Sequence, residues 1–235
     1  MTVRAEYLRR PRIVVALATF LTILVWLESF LAPWAPYFLL YAALAVAVPA
    51  WTRSYRFNGL KTVLRERWKR LLACLALTLA VDLGLSLAYG LALEALGLAG
   101  DPYYDLGAAL EALAQVAASR FGITVEQAIL IYALYVVVWA PVGEELFYRG
   151  YMYGELEEHL GLPAAVGIST FFFGIRHATH FALLSPFPLA AAFWWAFHAF
   201  CFGLVMVYAY RRVGSLYAPM LAHFIANLVS VALSA

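Results

Sequence analysis

Apolar residues run through this chain in long blocks, and the polar residues fall mainly in the gaps between blocks. The blocks cover roughly 13–32, 35–51, 71–98, 124–158, 163–184, 188–210 and 215–234. A bilayer core about 30 Å thick is crossed by about 20 apolar residues in helical geometry, so each block has roughly the length of a transmembrane helix. A shorter, interrupted stretch near Leu106 to Ala118 offers an eighth. Helix breakers such as Pro33, Gly100, Pro102, Pro163, Pro186 and Gly214 sit in the connections, where they belong. The pattern predicts an all-α integral membrane protein, a polytopic bundle of about seven to eight transmembrane helices.

Composition strengthens that reading. Of 235 residues, 65% are hydrophobic and only 13% charged, with a mean hydropathy of +0.82. A soluble domain carries about 25% charged residues, and a soluble chain this apolar would have no means of covering its surface. Cys74 and Cys201 both fall in apolar blocks, and no CxxC or Cys/His zinc spacing occurs. Arg4, Arg9, Arg10 and Arg12 precede the first block as in a signal peptide, but no A-x-A-type cleavage site ends it, so a retained first span is expected.

Charge then sets direction. The connection from Thr52 to Arg70 carries seven Lys or Arg against Glu66, and Arg211 and Arg212 mark a third basic edge, whereas Asp101, Asp105 and Glu111 make one connection acidic. The positive-inside rule therefore places the N-terminus, and the 155–163 and 211–215 connections, in the cytoplasm. The 52–70 stretch reads either as a loop or as a surface helix with Leu60, Leu64 and Trp68 toward lipid. Residues 1–119 form an N-terminal set of helices, and 120–235 hold the chemistry.

Ionisable residues inside apolar blocks are costly and are functional candidates by default. Glu144 and Glu145 lie in the fourth block, with Arg149 four residues after Glu145 and so on the same helix face. With one arginine for two carboxylates, one acid is expected to pair and the other to serve as a base. His177 lies in the fifth block, and His223 and Asn227 share a face of the last one at i, i+4 spacing. In a hairpin turning at Gly161, Glu144 lies 17 residues before the turn and His177 lies 16 after it. Glu144 is 11 residues from Glu155, and His223 is 11 from Arg212. At about 1.5 Å per residue all three clusters converge at one level, some ~15 Å below the cytoplasmic edge.

The set Glu144-Glu145-x-x-x-Arg149, Phe173-x-x-x-His177 and His223-x-x-x-Asn227 resembles the motifs of CAAX prenyl proteases and of the wider CAAX protease and bacteriocin-processing family of intramembrane glutamate proteases. The resemblance covers roughly residues 120–235. It implies that Glu144 and His177 activate a water, and that His223 and Asn227 donate to the oxyanion. Glu145 and Arg149 would orient these groups. It also implies that the substrate is a prenylated or other membrane-associated peptide, cut so that the C-terminal tripeptide leaves. No cofactor and no nucleic-acid partner are expected, and the active site is expected to open toward the cytoplasm.

Two rival readings use the same residues. Glu144, His177 and His223 are a donor set that zinc accepts, although H-E-x-x-H is missing. A non-catalytic membrane immunity or binding protein would need only the polar cluster. Elsewhere, His180 stands one turn beyond His177, His198 lies mid-block, and Asp82 reads as a lone structural acid. Glu155, Glu157 and Glu158 read as a solvated helix end.

Overall fold

In the computed structural model, the described residues are 3–31, 36–53, 55–57 and 59–234. They fold into helices with no strand among the described residues: α1 (Val3–Leu8), α2 (Pro11–Leu31), α3 (Pro36–Thr52), α4 (Leu60–Glu66), α5 (Trp68–Leu96) and α6 (Leu106–Phe121). There follow α7 (Val125–Leu160), α8 (Leu162–Ala178), α9 (Leu189–Val213) and α10 (Tyr217–Ser234). The expected limits at Ala32 and Ala35, and the break at Pro33, lie outside the described residues.

α5, α7 and α9 are each long and apolar enough to cross a membrane. Their outward faces are bare: Leu87, Leu130 and Phe193 are 64, 60 and 72% exposed. Water would not tolerate so much apolar surface, so lipid is the solvent that suits it. Shorter apolar helices fill Pro11–Leu24, Leu39–Thr52 and Tyr217–Leu233. α8 stops at Ala178 where the apolar block ran on to 184, because the chain tightens into a 3-10 turn over Thr179–Leu183. Pro186 and Pro188 just beyond cannot continue a helix.

Local signals explain the ends that matter. Asp105 caps α6 by accepting from the Gly107 and Ala108 amides. Thr124 and Gln127 close a reciprocal capping box at the start of α7. Gly161 turns the α7–α8 hairpin at φ +80°, a conformation that favours glycine. α8 and α9 then pack so closely that a Cβ on Gly174 would stand 2.7 Å from the Ala196 carbonyl oxygen. α5 packs against both α9 and α10, α3 lies on the middle of α7, and α2 touches α7 and α8.

The basic stretch is docked. α4 buries Val63 while its Leu60 and Leu64, and Trp68 at the start of α5, face outward, as a surface helix requires. The Arg67 guanidinium donates to the Val213 carbonyl, and the Leu216 amide donates to the Arg56 carbonyl at 3.1 Å. The acidic end of α7 departs from expectation. Glu155 is buried and bonded to Arg9 Nε at 2.8 Å, and Glu158 accepts from the same guanidinium at 2.9 Å. The Glu155 hydrogen bond is the main reason the Arg9 guanidinium is held above its ordinary value. The sequence pattern missed this because Arg9 and Glu155 lie 146 residues apart.

Candidate active site

The site is built where α7 stops being an ordinary α-helix. Over Tyr135–Trp139 and again over Glu145–Tyr153 its backbone bonds shift to the wider π register. Such turns leave carbonyls short of partners and often mark functional positions. Asn227 of α10 answers one of them, its amide nitrogen donating to the Val136 carbonyl at 2.7 Å. The contact fixes which end of the Asn227 amide faces α7, and leaves a second N–H to donate elsewhere.

Glu145 and Arg149 pair as their spacing predicts, at 3.1 Å and fully buried. The same Glu145 oxygen also meets His223 Nδ1 at 2.9 Å, so the last helix is tied to the acid pair. Among the described residues, the hydrogen bond of the His223 ring is this one at Nδ1. The Arg149 guanidinium sits 4.0 Å from the centre of the Phe173 ring, a cation–π contact between two buried side chains.

Glu144 is not left to itself. Arg176, which had been given no part, reaches its Oε1 at 3.1 Å, and both side chains are buried. The premise of one arginine for two carboxylates is therefore corrected: two acids face two guanidiniums. This near-neutral core is what makes the burial tolerable, since an unpaired ion there costs several kcal/mol (~3–5). Among the described residues, nothing hydrogen-bonds to buried Glu144 Oε2 or Arg176 Nε. The Arg176 guanidinium also donates to the Tyr135 hydroxyl at 2.8 Å and lies over the Tyr41 ring at 4.5 Å.

The histidine tautomers follow from these partners. A carbonyl only accepts, so His177 Nδ1, 2.7 Å from the Phe173 carbonyl oxygen, carries the proton. Neutral His177 thus presents a lone pair at Nε2. Arginine only donates, so His180 Nε2, 3.1 Å from Arg176, is an acceptor, and its Nδ1–H donates to the His177 carbonyl at 2.9 Å. His180 therefore supports Arg176 and stacks on Trp195 with ring centres 4.8 Å apart. Phe173 is the hub between helices, its ring 4.7 Å from that of His177 and 6.2 Å from that of His223.

Arg149, His177 and His223 thus lie around Phe173, Glu145 joins Arg149 to His223, Glu144 pairs with Arg176, and Asn227 meets α7 at Val136. No direct hydrogen bond joins Glu144 to His177. Residues 126–229 match the Rce1-like family of type II CAAX prenyl endopeptidases. No curated protein and no solved structure matches the chain. The Rce1-like segment encloses every site residue named from sequence, and Arg176, Tyr135 and His180 as well. It implies a protease, hence a hydrolase, and with the apolar helices it points to a membrane protein.

Among the described residues, no group of three or more His, Cys, Asp or Glu side chains is placed to hold a metal ion. Glu144 and His223 are engaged by Arg176 and Glu145 respectively. His198 does not join the site: its Nε2 lies 3.4 Å from Asp82 Oδ1. Asp82, read from sequence as a lone acid, is therefore a partnered one. Tyr41, from α3, is a site neighbour outside the Rce1-like segment. A signal for Arg176 was present, since a guanidinium in an apolar block demands a partner.

Proposed function

We propose that this chain is an intramembrane endopeptidase of glutamate type, acting near the C-terminus of a prenylated or other membrane-associated peptide and releasing the C-terminal tripeptide. The observation that supports this reading is that buried Glu144 and His223 and half-buried His177 and Asn227 all lie within the Rce1-like segment, with α10 tied to α7 through His223 on Glu145 and Asn227 on the Val136 carbonyl. Water held between Glu144 Oε2 and His177 Nε2 would lose a proton to this pair as its oxygen attacks the scissile carbonyl. The amide N–H of Asn227 and an Nε2–H of His223 would stabilise the tetrahedral oxyanion. For His223 to donate there while bonded to Glu145, the two must share a further proton between them, as an imidazolium beside a carboxylate does. Collapse of the intermediate breaks the C–N bond, and the held proton passes to the leaving amine. Arg176, paired to Oε1 at 3.1 Å, would hold the Glu144 carboxylate in place. The N-terminus and the site opening would face the cytoplasm, following the basic connections.

The test is cleavage of a fluorogenic farnesylated CAAX peptide by detergent-purified protein, comparing wild type with Glu144→Gln and His177→Ala, each with and without a zinc chelator. Cleavage that resists chelation and disappears in both variants is expected. Chelator-sensitive cleavage would move the assignment to a metallopeptidase. A folded wild type that does not cleave this peptide would shift the reading to another membrane-associated substrate or to a binding role.

A further inference from the structure

A second polar cluster is anchored on Asp82, outside the Rce1-like segment. Asp82 is buried in the middle of α5, a helix that is otherwise apolar around it. It is engaged from two other helices. His198 Nε2 of α9 lies 3.4 Å from its Oδ1 and 3.2 Å from its backbone carbonyl oxygen. Ser230 Oγ of α10 donates to its Oδ2 at 3.3 Å. A carbonyl oxygen only accepts, so His198 Nε2 carries a proton and donates it to the Asp82 backbone carbonyl, with Oδ1 3.4 Å away.

The two partners stand on the helices that frame the active site. On α9, His198 is three residues after Trp195 and four before Phe202. Trp195 covers His177 at 5.8 Å and His180 at 4.8 Å, and Phe202 packs on His223 at 5.0 Å. On α10, Ser230 lies seven residues after His223 and three after Asn227, on the same helix face. Asp82 thus grips the one helix that backs the α8 histidines and the other that carries the oxyanion donors. An acid among apolar neighbours is expensive, and this one is held by partners from two different helices rather than its own.

We infer that Asp82 is a positioning residue, clamping α9 through His198 and α10 through Ser230 so that His223 and Asn227 are held in register with Glu144 and His177. This rests on the peptidase reading for its kinetic consequence, but its structural consequence stands apart from it. A displacement of about 1 Å at a reacting group is worth up to about 10²-fold in rate.

The experiment compares wild type with Asp82→Asn, Asp82→Leu, His198→Gln and the double variant Asp82→Asn/His198→Gln. Two readouts are taken: kcat and KM on the farnesylated CAAX peptide, and hydrogen exchange of residues 217–234 in the same detergent. Expected are a kcat lowered about 10- to 100-fold with KM within about twofold, faster exchange across α10, and a double variant no worse than Asp82→Asn alone. Asp82→Asn retains the side-chain volume and guards against misfolding in Asp82→Leu. Unchanged kcat and unchanged exchange in folded variants would overturn the clamp. Loss of KM and kcat together, with uniform loosening of every helix, would also overturn it in favour of plain stability. If wild type does not cleave this peptide, the reading of its substrate fails while the exchange comparison still decides the clamp.

Discussion

Gly174 gives the sharpest test of how α8 is held. A methyl group there would stand 2.7 Å from the Ala196 carbonyl oxygen and 3.1 Å from Phe200 Cβ. Ordinary contact begins near 3.4 Å, so α8 and α9 must part by something like ~0.7 Å, because the nearest atom is backbone and cannot rotate away. Over-packing of this kind costs about 1–3 kcal/mol, and the better helix propensity of Ala returns about 1. Gly174→Ala is therefore expected to lose roughly 0–2 kcal/mol in stability. Activity should suffer far more. His177 is three residues along the same helix and is backed by Trp195 of α9, so a shift of this size is expected to lower kcat by about 10- to 100-fold. The assay is farnesylated CAAX peptide cleavage beside a thermal melt in detergent, with Gly167→Ala as control, since a Cβ on Gly167 meets nothing within 4 Å. If Gly174→Ala cleaves within twofold of wild type, the reasoning is wrong.

Further outcomes follow from the ion pairs and caps. Arg176→Gln leaves Glu144 buried without its cation and is expected to cost about 3–5 kcal/mol in unfolding measurements, with Arg176→Lys recovering part of it. Asn227→Ala removes the Val136 cap and, under the proposed mechanism, an oxyanion donor, and kcat should then fall about 10²- to 10³-fold with little change in KM. Arg9→Ala should lower the melting temperature by uncovering buried Glu155. Because the folded Arg9 guanidinium is raised above its unfolded value, its contribution is present below that value and lost only as pH climbs through the raised one. The melting difference should then stay flat from about pH 7 to about pH 10, and a decline within that window would refute the pairing. In Gly143→Ala the new methyl would meet the Trp139 ring at 2.4 Å, so Trp139 fluorescence should shift.

Much of this was legible in the sequence because helices in lipid obey simple rules of length and apolar content. The blocks 71–98, 124–158 and 188–210 lie on α5, α7 and α9 almost residue for residue. The Gly161 turn and the Glu145–Arg149 pair follow equally from local spacing. What was not legible is contact between distant segments. Arg176 on Glu144, His223 on Glu145 and Asp82 on His198 each require knowing which helix faces which. The π-helical stretches were also invisible, because they answer to tertiary partners such as Asn227 rather than to any residue preference along α7.

The two-acid, two-guanidinium core has a bearing on how the chain is made. In that core α7 supplies Glu144, Glu145 and Arg149, an excess of one negative charge, and α8 supplies Arg176, which cancels it. A helix delivered alone to a bilayer meets a cost of about 2.5–3.5 kcal/mol for each charge near its centre. Neither half of the Gly161 hairpin is electrically complete until the other arrives. Biogenesis should accordingly treat α7 and α8 as one unit of insertion, and a ribosome-bound chain ending before residue 176 should hold α7 less firmly in the membrane than a chain that ends after it.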